Sequence, residues 1–229
     1  MSIGLRVLVA IAASIPVLYY PQPGHTTLMV AGFNFEDNAF ADIVVSSSDL
    51  GQFVILGGAG SVEEAVTGGD TGTSAFSAID GSFIELGFSD NLVINGVGFD
   101  FAVFELNVPE DMIATIGGVS VTEPQVDTGF DSTINGFDIN VSLFDLSDFG
   151  LLPGAIVSSI RFEILCIPEA SQNLGCTVGA PVAPALVVVG ALNSVSVPEP
   201  STIHLVLAGL ALLGWVASGR KRPVSQGTR

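Results

Sequence analysis

The middle of the chain alternates apolar and polar residues with a period of two. In Ser82–Phe88, Ile84, Leu86 and Phe88 alternate with Phe83, Glu85 and Gly87. In Phe99–Glu105, Phe99, Phe101 and Val103 share one face and Asp100, Ala102 and Phe104 the other. Between them Leu92-Val93-Ile94 runs into Asn95-Gly96-Val97-Gly98. Asn-Gly between two apolar runs predicts a hairpin, because both residues accept positive φ. Further on, Phe137, Ile139, Val141 and Leu143 alternate with Asp138, Asn140 and Ser142, and Ile156, Ile160, Phe162 and Ile164 oppose Ser159, Arg161 and Glu163. Such runs predict half-buried antiparallel strands, and several together predict an all-β, antiparallel β-sandwich. Ile43-Val44-Val45 and Phe53-Val54-Ile55-Leu56 read as short buried strands, the second closed by Gly57-Gly58. Thr67–Ser77 reads as a loop and Glu63-Glu64 as a solvated pair, while Val108–Ile116 has room for one turn of helix.

Both ends of the chain carry longer apolar runs. Arg6 followed by Val7–Leu18 has the n- and h-regions of a secretory signal peptide, too short for an anchor and ending at Tyr19-Tyr20-Pro21. Cleavage is expected between Ser14 and Gly32. At the other end, Val197-Pro198-Glu199-Pro200-Ser201-Thr202 precedes an apolar run from Ile203 to Ala217, and Arg220-Lys221-Arg222 follows it. As a helix, Ser201–Ser218 would span about 27 Å, near the thickness of a bilayer's hydrocarbon core. Three adjacent cations predict that the tail stays cytoplasmic and the bulk of the chain lies across the membrane.

A Pro-Glu-Pro signature, one apolar helix and a basic cluster, in that order, resemble the PEP-CTERM sorting signal. The resemblance implies that an exosortase-type membrane protease recognises and removes the segment in a Gram-negative bacterium. It also implies a single-pass intermediate in the inner membrane, then delivery to the cell surface or the extracellular polysaccharide matrix. The block GSFIELGFSDNLVINGVGFDFAVFE (Gly81 to Glu105), with FDLSDFGL (Phe144 to Leu151), resembles a recurrent ectodomain of such proteins. That second likeness implies a jelly-roll sandwich related to carbohydrate-binding, discoidin-like modules. The expected organisation is a leader over 1–31, a β-sandwich ectodomain over 32–178, and a linker or final strand (Leu186–Val189) within 179–196. The sorting signal with its transmembrane helix follows over 197–222, then a cytoplasmic tail over 223–229.

Charge narrows the function. The 229 residues include 6 basic and 23 acidic ones, for a formal net charge of −17. Between residues 7 and 219 the only cation is Arg161, set against every acidic residue of the chain. Such a surface repels nucleic acid and suits divalent cations or neutral sugars. Arg161 is expected to pair with Glu163 or a carboxylate on a neighbouring strand. The two histidines, His25 and His204, fall outside the expected domain, which also has no lysine. Histidine-based nucleophilic schemes, histidine zinc sites and lysine Schiff bases are thereby removed. What remains is a non-catalytic binding or structural component, or alternatively a polysaccharide hydrolase using a carboxylate pair. Cys166 and Cys176 in an exported chain read as a disulfide, since a zinc site would want two more ligands. Asp90, Asn91, Asn95, Asp100 and Glu105 surround the expected hairpin. They are oxygen donors of the kind Ca2+ takes, and equally residues that suit turn geometry.

Overall fold

The computed structural model of the chain describes residues 27–36, 38–77, 79, 81–106, 109, 111–164, 185–197 and 210. The first strands are β1 (Thr27–Val30), β2 (Phe33–Glu36), β3 (Ile43–Ser47) and β4 (Phe53–Leu56), followed by the short helix α1 (Val62–Val66). The middle of the chain adds β5 (Ser74–Ser77), β6 (Ser82–Gly87), β7 (Asn91–Ile94), β8 (Phe101–Leu106), β9 (Met112–Ile116) and β10 (Val119–Glu123). Then come β11 (Val126–Asp131), β12 (Asp138–Phe144), β13 (Ile156–Val157), β14 (Ser159–Ile164), β15 (Ala185–Ala191) and β16 (Ser194–Ser196). All the pairings are antiparallel.

Two large sheets make the sandwich, one ordered β10-β9-β14-β6-β3 and the other β11-β12-β8-β15-β5-β4. Between them sit Phe101, Phe144, Phe162, Ile160, Ile84, Leu86 and Ala114, all fully buried. Phe101 stacks on Phe144 at 4.8 Å and meets Phe162 of the opposite sheet edge-on at 6.4 Å. A small sheet, β13-β7-β16, and the β1–β2 hairpin complete the domain. Ala31 and Gly32 take φ of 43° and 88° in the two-residue turn of that hairpin, the left-handed pair that matches strand twist.

The all-β sandwich expected from alternation is present, but several elements differ. No β7–β8 hairpin forms across Asn95-Gly96. β7 pairs with β13 and β16, whereas β8 lies between β12 and β15 in the larger sheet. Asn95 serves this corner through its side chain, donating Nδ2 to Leu151 O at 2.9 Å, and the left-handed residue is Gly98, with φ of 83°. Ile156–Ile164 is likewise divided. β13 joins the small sheet and β14 the five-stranded one, with Ser158 O accepting from Phe88 N–H at the break. β8 and β12 are buried on both faces over most of their length. The β1–β2 hairpin and neighbouring segments cover the outer face that carries Phe104, whereas Asn140 and Ser142, expected to meet solvent, share the inner face with Phe144 and point into the sandwich.

Thr67–Ser77 ends in β5, and Met112–Ile116 is strand rather than helix because it pairs on both edges, with β10 and β14. Glu64 does more than solvate. In α1, Ser61 Oγ accepts from Glu64 N–H while Glu64 Oε2 accepts from Gly60 N–H, a variant of the capping box. At the margins, β1 begins at Thr27, and β15 is a fully buried inner strand of the larger sheet.

Candidate functional site

Because side chains alternate across a strand, the residues of β8 opposite Phe101 and Val103 form the outer face of the larger sheet. The β1–β2 hairpin covers this face in part. Phe33 and Phe35 set their rings edge-on to Phe104, at 5.7 and 6.0 Å. Beside the hairpin an open groove of about 390 Å³ remains, whose lining includes Phe33, Phe99, Leu143, Glu123, Asp127 and Thr128.

Hydrogen bonds to the backbone anchor the segments that carry Phe99, Glu123 and Asp127. Phe99 is 52% exposed, yet its carbonyl accepts from Asn193 Nδ2 at 3.2 Å, and the next residue, Asp100, donates its N–H to Phe144 O at 2.7 Å. Ser142 Oγ donates to Glu123 O at 3.3 Å, which ties the end of β10 to β12. Asp127 sits at a bulge of β11, where its Oδ1 accepts from Gly129 N–H at 2.8 Å. Burial, and after it the charge of Asp148, pushes the Glu123 carboxyl above its usual pKa. The groove thus offers exposed aromatic surface beside carboxylates. Aromatic faces suit the C–H faces of a sugar ring, and carboxylates accept hydrogen bonds from its hydroxyls.

The residues nominated for calcium fall into three places. Asp90 and Asn91 are at the start of β7, and Asn91 is fully buried. Asn95 and Asp100 both lie at the corner after β7, with separate partners. There the Asp100 carboxylate accepts from Gly96 N–H (2.7 Å), Leu146 N–H (2.8 Å) and Asn193 Nδ2 (2.8 Å). Glu105 lies near the far end of β8, about 16 Å further at a strand's rise per residue. Inside the sandwich it accepts from Asn140 Nδ2 at 3.0 Å and from Ala185 N–H at 3.2 Å. The hairpin that would have gathered these donors is absent. Among the described residues no three His, Cys, Asp or Glu side chains form a group able to hold a metal ion.

Arg161 lies on the outer face of the five-stranded sheet. Its guanidinium stands 3.7 Å over the Phe83 ring and 3.9 Å from Glu163 Oε1. The hydroxyls of Ser159 and Ser46 donate to the Glu85 carboxylate at 2.6 and 2.7 Å. With help from Arg161 they hold its pKa below the usual range, against the opposing effect of burial.

Cys166, Cys176, Pro198, Glu199, Pro200, Ser201, Thr202, Arg220, Lys221 and Arg222 lie outside the described residues, as does the expected helix except for residue 210. Among the described residues no helix is long and apolar enough to cross a membrane. Val197 is described, and its N–H donates to Asp90 O at 2.8 Å, which extends the β16–β7 ladder by one residue. Residues 196–222 match the PEP-CTERM protein-sorting motif. The chain therefore carries the sorting signal of an exported protein, a signal that exosortase recognises for processing. Neither a curated protein nor a solved structure matches the chain. The PEP-CTERM match covers the C-terminal segment alone, so the reading of the groove rests on its geometry.

Sequence reasoning found the sorting motif but missed the groove. Its walls come from positions as far apart as Ala31 and Leu143. Of the lining, Phe99, Val141 and Leu143 were singled out, but only as members of alternating runs.

Proposed function

We propose that this chain is an exported component of a bacterial cell surface or extracellular matrix. Its β-sandwich binds neutral polysaccharide without cleaving it, and its PEP-CTERM segment directs it through exosortase. The observation that carries the binding reading is the groove, where Phe33 and Phe99 flank Glu123 and Asp127 on a domain almost devoid of cations. Negative charge disfavours acidic glycans there and leaves neutral ones. The likeness of Gly81 to Glu105 to jelly-roll, discoidin-like modules supports the same reading.

Binding of the full-length protein to soluble neutral polysaccharides, with alginate as an acidic control, tests it. Neutral chains should bind and alginate should not. Phe99→Ala should weaken binding about tenfold, the effect of losing roughly 1.4 kcal/mol of aromatic contact. Equal affinity in wild type and variant would move the site elsewhere.

A second reading has one observation in its favour: the raised pKa of Glu123 in the same groove as Asp127. That pairing is what a general acid beside a carboxylate nucleophile or base requires. It predicts release of reducing ends, abolished by Glu123→Gln; binding without turnover is the outcome of the main reading.

A further inference from the structure

The PEP-CTERM match begins at residue 196, whereas β16 ends at Ser196 and its ladder continues through Val197. No spacer separates sheet from motif, and Ser196 and Val197 belong to both. β16 is a three-residue edge strand, and Val195 and Ser196 are exposed. Opposite Ser196, Asn91 is fully buried and neither atom of its amide has a hydrogen-bond partner. A short exposed edge strand beside an unsatisfied buried amide opens at low cost in free energy.

The residues just before β16 are held far more firmly. Leu192 and Asn193 both donate their N–H groups to Asp100 O, at 2.8 and 3.1 Å, and Asn193 Nδ2 donates to Asp100 Oδ1. Before them, β15 is buried along its whole length. Opening that starts at Val197 therefore ends at Asn193.

We propose that β16 is a releasable strand. Ser194–Val197 detaches from β7 and is bound in extended form by the processing membrane protease, and the Asp100–Asn193 clamp sets the limit of release. An extended peptide is recognised largely through main-chain hydrogen bonds. Groups committed to β7 cannot serve an enzyme's cleft, so release precedes engagement. This inference rests on the sorting reading and adds a control of processing by the folded state.

The test uses the full-length chain in a Gram-negative host with an exosortase-type protease, with processing followed by pulse-chase. Asn91→Cys together with Ser196→Cys puts two thiols at directly opposed positions of the ladder. Such pairs lie about 4.5–5.5 Å apart between Cα atoms, within the range a disulfide spans. Peptide mapping establishes that the new bond joins 91 to 196 and does not involve Cys166 or Cys176. The oxidised double variant should be processed at least about tenfold more slowly than wild type, since competence scales with the released fraction. Reductant should restore the rate to that of Asn91→Cys alone, which removes the unsatisfied amide and should be processed no faster than wild type. Ser196→Cys alone should behave as wild type. Val195→Pro, which loosens the edge strand and leaves Val197 to Thr202 intact, should be processed faster. Wild-type processing of the oxidised variant overturns the inference and leaves the sorting reading standing. If the double variant fails to fold, an unchanged rate for Val195→Pro overturns it instead. A wild-type chain that is never processed overturns both.

Discussion

Asp100 shows how much of a fold can hang on one carboxylate. Fully buried, it takes hydrogen bonds from Gly96, Leu146 and Asn193 and so joins three separate stretches of chain. Asp100→Ala strands those donors and should destabilise the protein by about 3–4 kcal/mol in denaturant titration. Glu85 and Glu123 make opposite statements about acid. The folded-state pKa of Glu85 is depressed, so its contribution is complete above the ordinary carboxylate range and is lost as pH falls through the folded value. Glu85→Gln should therefore flatten the loss of urea stability on acidification below about pH 5. Glu123 has a raised pKa, so its penalty is present at neutral pH and relieved as pH falls. Glu123→Gln should steepen the same curve, and parallel curves for wild type and both variants would contradict these assignments.

At the scale of elements, the β1–β2 hairpin depends on a glycine in a distant strand. A Cβ on Gly190 would lie 2.6 Å from Phe35 Cε1, and Phe35 is buried against Phe40 and Phe104. Gly190→Ala should cost about 1–3 kcal/mol and lift the hairpin. Limited proteolysis should then cut first within residues 27–36. This dependence was not legible in the sequence, where Gly190 is one small residue in an apolar run. What was legible followed from local periodicity. Ile84, Leu86, Ile160 and Phe162 all face the core as their alternation predicts. Periodicity says nothing about which strand lies next to which. Leu92–Ile94 and Phe99–Glu105 read as partners because the turn between them has the right residues. Their buried neighbours, Val157 and the whole of β15, pull them into different sheets. The groove was hidden for the same reason, since Phe33 and Glu123 meet only through that non-local pairing. The sorting motif was legible because its order is linear.

Across the whole molecule, acidity and topology both bear on export. One guanidinium among so many carboxylates leaves the domain self-repelling, and Arg161 spends its charge on Phe83, Glu163 and Glu85. Repulsion of this kind keeps copies apart at high concentration. The larger sheet carries a further consequence. β8 needs β15 along one edge, and the two are about 85 residues apart in sequence, a separation whose loop-closure cost slows pairing. A chain emerging N-terminus first at about 5–20 residues per second makes β8 several seconds before β15 exists. During that interval the sandwich has an open seam where its inner strand belongs. The polypeptide thus stays slack for most of its emergence, and it locks shut only when the last stretch ahead of the sorting motif has appeared.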